Sequence, residues 1–181
     1  MSNSRNDLRP GRRLIAALAL AFALGCGLMP ASAAGRASSA GDRQRLVSVT
    51  HQLEEAPLEP RLAADRAWAM NWLIEVPDIS VTMCGNFWSG LLNENYAYGD
   101  AIVAQMGLSM AAAIIERPDI VNDPIAQQMA GAEGALRAYR AVLRDRPEAH
   151  SAFLDALLAT QSRGQLSESV SSAWPGCSHQ Q

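Results

Sequence analysis

The sequence predicts an all-α protein, an irregular or orthogonal bundle of five to seven helices that forms a single domain after a signal peptide. Two observations lead to this prediction. Apolar residues recur at the three- and four-residue spacings of amphipathic helices along most of the chain. Prolines and glycines interrupt this pattern where helices of ordinary length would end.

Residues 1–33 are typical of a secretory signal peptide. Four arginines precede an apolar stretch over residues 14–24, and a small-x-small cleavage site ends at Ala33. The apolar stretch is shorter than the roughly 20 residues that span a bilayer. We therefore expect export to the periplasm or the medium, with a mature chain that begins at Ala34 and contains no membrane span. Anchoring through a lipidated Cys26 is the less favoured alternative, because the residues before it match a lipobox poorly.

Charge and motifs narrow the range of partners. Without residues 1–33 the chain carries 11 arginines, no lysine and 17 acidic residues, a net charge of −6. An acidic chain without a basic cluster argues against nucleic acid as a partner. The sequence has no Cys-x-x-Cys motif, no His-x-x-x-His motif and no glycine-rich phosphate loop after a strand. We therefore predict neither a cofactor nor a metal site.

The beginning of the mature chain is predicted to be irregular. Residues 34–42 are small and polar, and we expect them to be disordered. The single domain then covers residues 43–181, including a C-terminal tail. It opens with a short helix over residues 43–55, where apolar residues follow the i, i+3, i+4, i+7 pattern.

Prolines delimit the next two helices. Pro60 suits the first turn of a second helix, and Pro77 closes it. Asp78 or Ser80 is expected to cap a third helix, which runs through Cys84. Several β-branched residues at its start leave a strand open as the alternative.

The fourth and fifth helices are predicted to pack closely together. The fourth has no charge over residues 101–115, which is typical of a buried central helix. The fifth is capped by Asn122 or Asp123 and has a face made only of small residues, including Gly131 and Gly134. Interior glycines cost about 1 kcal/mol each relative to alanine, so we expect another helix against this face. Two shorter helices, over about 147–162 and 165–172, complete the prediction.

Cys84 and Cys177 are predicted to form a disulfide. They are the two cysteines that remain after residues 1–33 are removed, and exported proteins meet an oxidising environment. A zinc site would need three or four cysteine, histidine or carboxylate ligands, and the sequence has neither a Cys-x-x-Cys nor a His-x-x-x-His motif. The bridge would join the C-terminal segment to the third helix.

Trp68 and Trp72 form a possible interaction surface. They lie one turn apart on the second helix, on the side opposite the apolar residues that we assign to the core, which include Ala69, Leu73 and Ile74. Exposed tryptophans often dominate binding surfaces. In the favoured alternative another element, such as the first helix, covers most of both rings.

Polar residues that could serve chemistry are sparse. Gln105, Ser109 and Glu116 share a narrow strip of the fourth helix, which predicts either a small polar cleft or, as the favoured interpretation, a thin solvent-facing edge. His51 is expected in solvent, and His150 on the apolar face of the sixth helix. The arginines of the fifth helix are expected to form an ordinary solvated face.

Three function classes remain open. The favoured class is an exported binding or interaction protein without enzymatic activity, with a protein or another envelope component as its partner. The alternatives are a small hydrolase of envelope material, with its site near the polar strip, and a structural envelope component. A cleft that gathers carboxylates and a histidine would favour the hydrolase, whereas an exposed aromatic patch would favour the binding protein.

Overall fold

The computed structural model describes residues 36–177. This part of the chain contains seven α-helices and three short 3₁₀ turns, joined by short loops. The predicted signal peptide, Cys26 and the last four residues lie outside this range. No strand occurs within it, so the all-α prediction is confirmed. The helices are α1 (Ala40–Glu55), α2 (Ala63–Glu75), α3 (Gly85–Asn93), α4 (Gly99–Glu116), α5 (Pro124–Asp145), α6 (Ala152–Ser162) and α7 (Leu166–Ala173).

Local signals in the sequence account for several of the helix ends. The side chains of Ser39, Asp123 and Ser151 cap α1, α5 and α6 by accepting hydrogen bonds from free backbone N–H groups of the first turn. Pro124 occupies the first position of α5, where no intrahelical N–H is needed. Gly164 follows α6 with a φ of 72°, a conformation that side chains other than glycine rarely adopt.

The helix α4 is the centre of the bundle, as its composition predicts. It packs most extensively against α5 and then against α1, and its residues 105–114 are all buried. By length and mean hydropathy, 1.2, α4 could also cross a membrane, but 61% of it is buried within the protein. The covering by α1, α2 and α5 is typical of a core helix.

The core consists of two apolar clusters that share α4 and α5. One cluster gathers α3, α6 and α7 around the first half of α4, with Trp88 and Tyr139 among its largest buried side chains. The other gathers α1 and α2 around the second half of α4, with Leu46 and Leu53 fully or almost fully buried. The bundle is therefore divided into an α1–α2 end and an α3–α6–α7 end.

The small-residue face of α5 packs closely on its neighbours, as predicted. A Cβ atom added at Gly131 would lie 2.9 Å from a side-chain carbon of Met110 on α4. At Gly134 it would overlap Ser109 on α4 and lie 2.6 Å from a carboxylate oxygen of Glu54 on α1. The glycines therefore allow three helices to meet at one place.

We expect Gly131→Ala and Gly134→Ala each to lower the free energy of unfolding by about 1–3 kcal/mol, because the added methyl group must displace packed atoms. Gly107→Ala is the matched control, since an added Cβ in the middle of α4 has no neighbour closer than 3.9 Å. This control should stabilise the protein by up to about 1 kcal/mol through helix propensity. Denaturant unfolding measures all three, and equal effects at the three positions would refute close packing at α5.

Three helix starts differ from the prediction. The helix α1 starts at Ala40 rather than 43, and Ser38 and Arg43 both bind the Asp78 carboxylate, so residues 38–42 are not disordered here. Asp78 is thus used for this contact and does not cap a helix. Residues 79–84 are neither helix nor strand, and α3 starts only at Gly85. Ile79 and Cys84 are nevertheless buried, from a non-helical backbone. Likewise α6 starts at Ala152, five residues later than predicted.

Candidate functional site

The predicted cysteine pair lies at disulfide distance. Cys84, immediately before α3, and Cys177, at the end of the described chain, have Cα atoms 5.3 Å apart. Both are buried, with exposed fractions of 2% and 5%, and Trp88 lies in the same apolar cluster. Their position inside the core gives them a structural role and leaves no sulfur accessible to a substrate.

The polar strip of α4 is mostly buried rather than solvent-facing. Gln105 and Ser109 have exposed fractions of 3% and 4%, because α1 lies across them. The Gln105 side-chain amide donates to Ser109 Oγ at 3.0 Å and to the Thr50 carbonyl on α1 at 3.2 Å. Glu116, at the end of the strip, is exposed and is connected to Ser109 through His51 and Glu54. The favoured interpretation as a thin edge is therefore wrong for Gln105 and Ser109.

The Glu54 carboxylate, on α1, joins three helices. Its side chain is only 5% exposed, and both of its oxygens accept hydrogen bonds from neighbouring side chains. Oε1 accepts from Ser109 Oγ on α4 and from Arg137 Nη2 on α5, each at 2.8 Å. Oε2 accepts from Arg137 Nε at 2.8 Å and lies 3.2 Å from His51 Nδ1. This two-point contact with Arg137 corrects the expectation that the arginines of α5 are only solvated.

His51 lies between two carboxylates. Its Nδ1 faces Glu54 on the same helix, and its Nε2 lies 3.0 Å from Glu116 Oε1 on α4. The ring is about half exposed, at 49%. His51, Glu54, Ser109, Glu116 and Arg137 thus form one cluster, which we call the α1 polar cluster.

The surroundings of Glu54 keep its carboxylate ionised. Burial alone would raise the pKa of Glu54, but the hydrogen bonds from Arg137, Ser109 and His51 together outweigh burial, so its pKa is lowered. The hydrogen bond to Glu116 raises the pKa of His51, and burial opposes this only in part. The cluster therefore favours charged forms of both residues.

The arrangement of the α1 polar cluster suits cohesion better than catalysis. A carboxylate has about four acceptor positions, and on Glu54 Ser109 and Arg137 fill three of them while His51 faces the fourth. Ser109 is buried, and its hydroxyl donates to Glu54, a weak base because its pKa is lowered, so the Ser109 oxygen is neither activated nor reachable by substrate. The cluster therefore ties α1 to α4 and α5.

Sequence reasoning missed most of this cluster. One local signal was visible: His51 and Glu54 have the i, i+3 spacing that places side chains on the same side of a helix. The other contacts come from residues 55 to 83 positions away in sequence, and no local pattern pairs them.

A second polar cluster supports the start of α6. The buried Tyr139 hydroxyl donates to Asp155 Oδ1 at 2.7 Å and accepts from the Ser151 backbone N–H at 2.9 Å. Asp155 Oδ2 lies 3.0 Å from His150 Nδ1, and Glu94 accepts from Ser151 Oγ at 2.6 Å. His150 is 62% exposed and precedes the helix, which corrects its predicted place on an apolar face.

The tryptophans of α2 are half buried. Their rings stack at a centroid distance of 6.1 Å, and the Arg45 guanidinium of α1 lies 3.9 Å from the centre of the Trp68 ring. The helix α1 packs on the side of α2 that carries the two tryptophans. Ile74, which was predicted to lie in the core, is instead 76% exposed. We call Arg45, Trp68 and Trp72 the stacked ladder.

Two open grooves adjoin the stacked ladder. Arg45 and Asp65, which form an ion pair at 2.9 Å, line the first groove with polar residues of α1. Trp72 and Glu75 line the second with residues at the start of α1. The ladder therefore connects both grooves across the α1–α2 face.

Within residues 36–177, no group of three or more histidine, cysteine, aspartate or glutamate side chains is placed to hold a metal ion. No family model, curated protein or solved structure matches the chain.

Proposed function

We propose that the protein is an exported, disulfide-stabilised helical protein that binds another protein through the α1–α2 face. The observation that carries the proposal is the stacked ladder, in which an arginine and two tryptophans on two helices connect two grooves. Tryptophan and arginine are the residue types most enriched at the energetic centres of protein interfaces.

The character of the two grooves favours a protein over a small molecule. Enclosed pockets bury most of a small ligand's surface, whereas these grooves open broadly to solvent. Their charges are mixed, with Arg36 and Arg45 beside Asp42, Asp65 and Glu75. A polypeptide with its own mixture of polar and apolar groups is complementary to such a surface.

The hydrolase alternative has less support. Its site was placed on the polar strip of α4, and the two residues of that strip that meet, Gln105 and Ser109, are covered by α1. A substrate would have to displace α1, together with the apolar residues that hold it in the core.

Site-specific photo-cross-linking in the producing cell tests the proposed function. A photoreactive phenylalanine analogue placed at Gln44 or Ser48, in the first groove, should yield a discrete adduct with one partner protein. The same analogue at Ser167, exposed on α7 at the other end of the bundle, should yield none. Equal adducts from both ends, or none from the grooves, would refute the proposal.

Arg45→Ala provides the matched variant for this experiment. Arg45 is half exposed and its ion pair with Asp65 lies at the surface, so the substitution should change stability by less than about 1 kcal/mol. It removes the cation above Trp68 and should reduce the yield of the adduct from Ser48 severalfold. An unchanged yield would show that the stacked ladder is not part of the contact.

A further inference from the structure

We propose that His51 is a proton-operated clamp, which holds α1 against α4 more tightly at mildly acidic pH than at alkaline pH. The clamp is independent of the binding function proposed above, although it acts on the helix that carries Arg45. It rests on the position of the ring, with a carboxylate oxygen facing each of its two nitrogens.

The hydrogen-bonding capacity of imidazole explains why the position matters. A neutral imidazole carries one N–H and can donate to only one of its two carboxylate neighbours. The imidazolium ion carries two and can donate to Glu54 and Glu116 together, at the observed distances of 3.2 and 3.0 Å. Protonation therefore lets the ring donate to both carboxylates at once, whereas the neutral ring donates to one of them. The hydrogen bond to Glu116 is the one that joins α1 to α4.

The charges around His51 favour the same protonation. Two carboxylates face the ring, Glu54 on α1 and Glu116 on α4. Behind Glu54 lies its partner Arg137 on α5, and Glu133 on α5 in turn acts on Arg137. The net charge of these four side chains is −2 while the ring is neutral, and the imidazolium reduces the total to −1. The hydrogen bond to Glu116 is the main cause that raises the pKa of His51.

The sign of the pH effect follows from linkage. A histidine whose pKa is higher in the folded than in the unfolded chain stabilises the fold fully below its unfolded value, near 6.5. That contribution disappears as the pH rises through the folded value. Glu54, whose pKa is lowered, keeps its own contribution until the pH falls through its folded value. The clamp is therefore strongest at mildly acidic pH, between these two transitions.

Denaturant unfolding of the mature, oxidised protein at about pH 5.5 and about pH 8 tests the clamp. The pKa of histidine in the unfolded chain, near 6.5, lies between these two pH values. The unfolding midpoint of the wild type should fall toward pH 8. In His51→Gln this fall should be largely lost, while the control His150→Gln should keep it, since His150 faces the carboxylate of Asp155 through Nδ1 and does not bridge two carboxylates among the described residues. A full pH dependence that persists in His51→Gln would overturn the proposal.

A nuclear magnetic resonance titration of the His51 ring gives a direct second measurement. The pKa of His51 should lie above 6.5 in the wild type and move back toward 6.5 in Glu116→Gln, which leaves the Glu54–Arg137 pair intact. Each unit of excess corresponds to a roughly tenfold preference of the fold for the protonated ring. A wild-type value at or below 6.5 would overturn the proposal even if His51→Gln does not fold.

Discussion

Loss of the Cys84–Cys177 link is expected to have the largest effect on stability. We expect the double substitution of both cysteines by alanine to lower the free energy of unfolding by about 4 kcal/mol, with about 4–5 kcal/mol as the upper figure from chain entropy. The cysteines are 93 positions apart, so the unlinked unfolded chain gains the freedom of a long loop. Alanine avoids leaving a polar group in the buried site. Urea unfolding of the oxidised wild type and the variant measures the difference.

Reduced wild type is the internal control for this experiment. It should unfold close to the double alanine variant, because both lack the link and keep small side chains in the core. The main loss of order should fall on residues 166–177, since α7 and the turn after it form the C-terminal end of the loop that the bridge closes. If oxidised and reduced protein unfolded at the same urea concentration, the bridge would contribute nothing to stability.

Removal of the Arg137 side chain is expected to have the second largest effect. Arg137→Ala leaves the buried Glu54 carboxylate without its two-point partner, and loss of one member of a buried ion pair costs about 3–5 kcal/mol. The Arg137 side chain is 47% exposed, so water replaces part of the contact and we expect about 2–4 kcal/mol. Thermal or urea unfolding near pH 7 provides the measurement.

Two comparisons make the Arg137 result specific. Arg140→Ala, one turn further along α5, removes an exposed side chain that contacts Gln161 and should cost less than about 1 kcal/mol. The deficit of Arg137→Ala should also shrink as the pH falls below about 4.5, because protonated Glu54 no longer needs a cation. A deficit that is equal in both variants, or that grows with acid, would contradict the role of Glu54.

The parts of the fold that depend on residues close together in the sequence could be predicted from the sequence. Pro124 and Asp123 mark the start of α5, and the lack of charge in α4 predicts its central place. Gly131 and Gly134 predict close packing because a glycine inside a helix needs a compensating contact. Each of these signals acts within one or two helical turns.

The errors arose where a distant partner decides the outcome. The helix α2 has apolar residues around more than half its circumference, and only the position of α1 determines that Trp68 is half buried and Ile74 exposed. The start of α3 was placed too early because a non-helical backbone buries Ile79 as well as a helix would. Of the α1 polar cluster, the spacing of His51 and Glu54 and the shared strip of Ser109 and Glu116 were readable locally, but the contacts between helices were not.

The proposed α1–α2 binding face is tested most directly by amide hydrogen exchange, measured on the protein alone and bound to the partner recovered by cross-linking. We predict slower exchange on binding in peptides that cover residues 40–52 and 63–76, where the stacked ladder and both grooves lie. Peptides that cover residues 152–173, in α6 and α7, should exchange at unchanged rates. Protection confined to residues 152–173, with none in α1 and α2, would contradict this account.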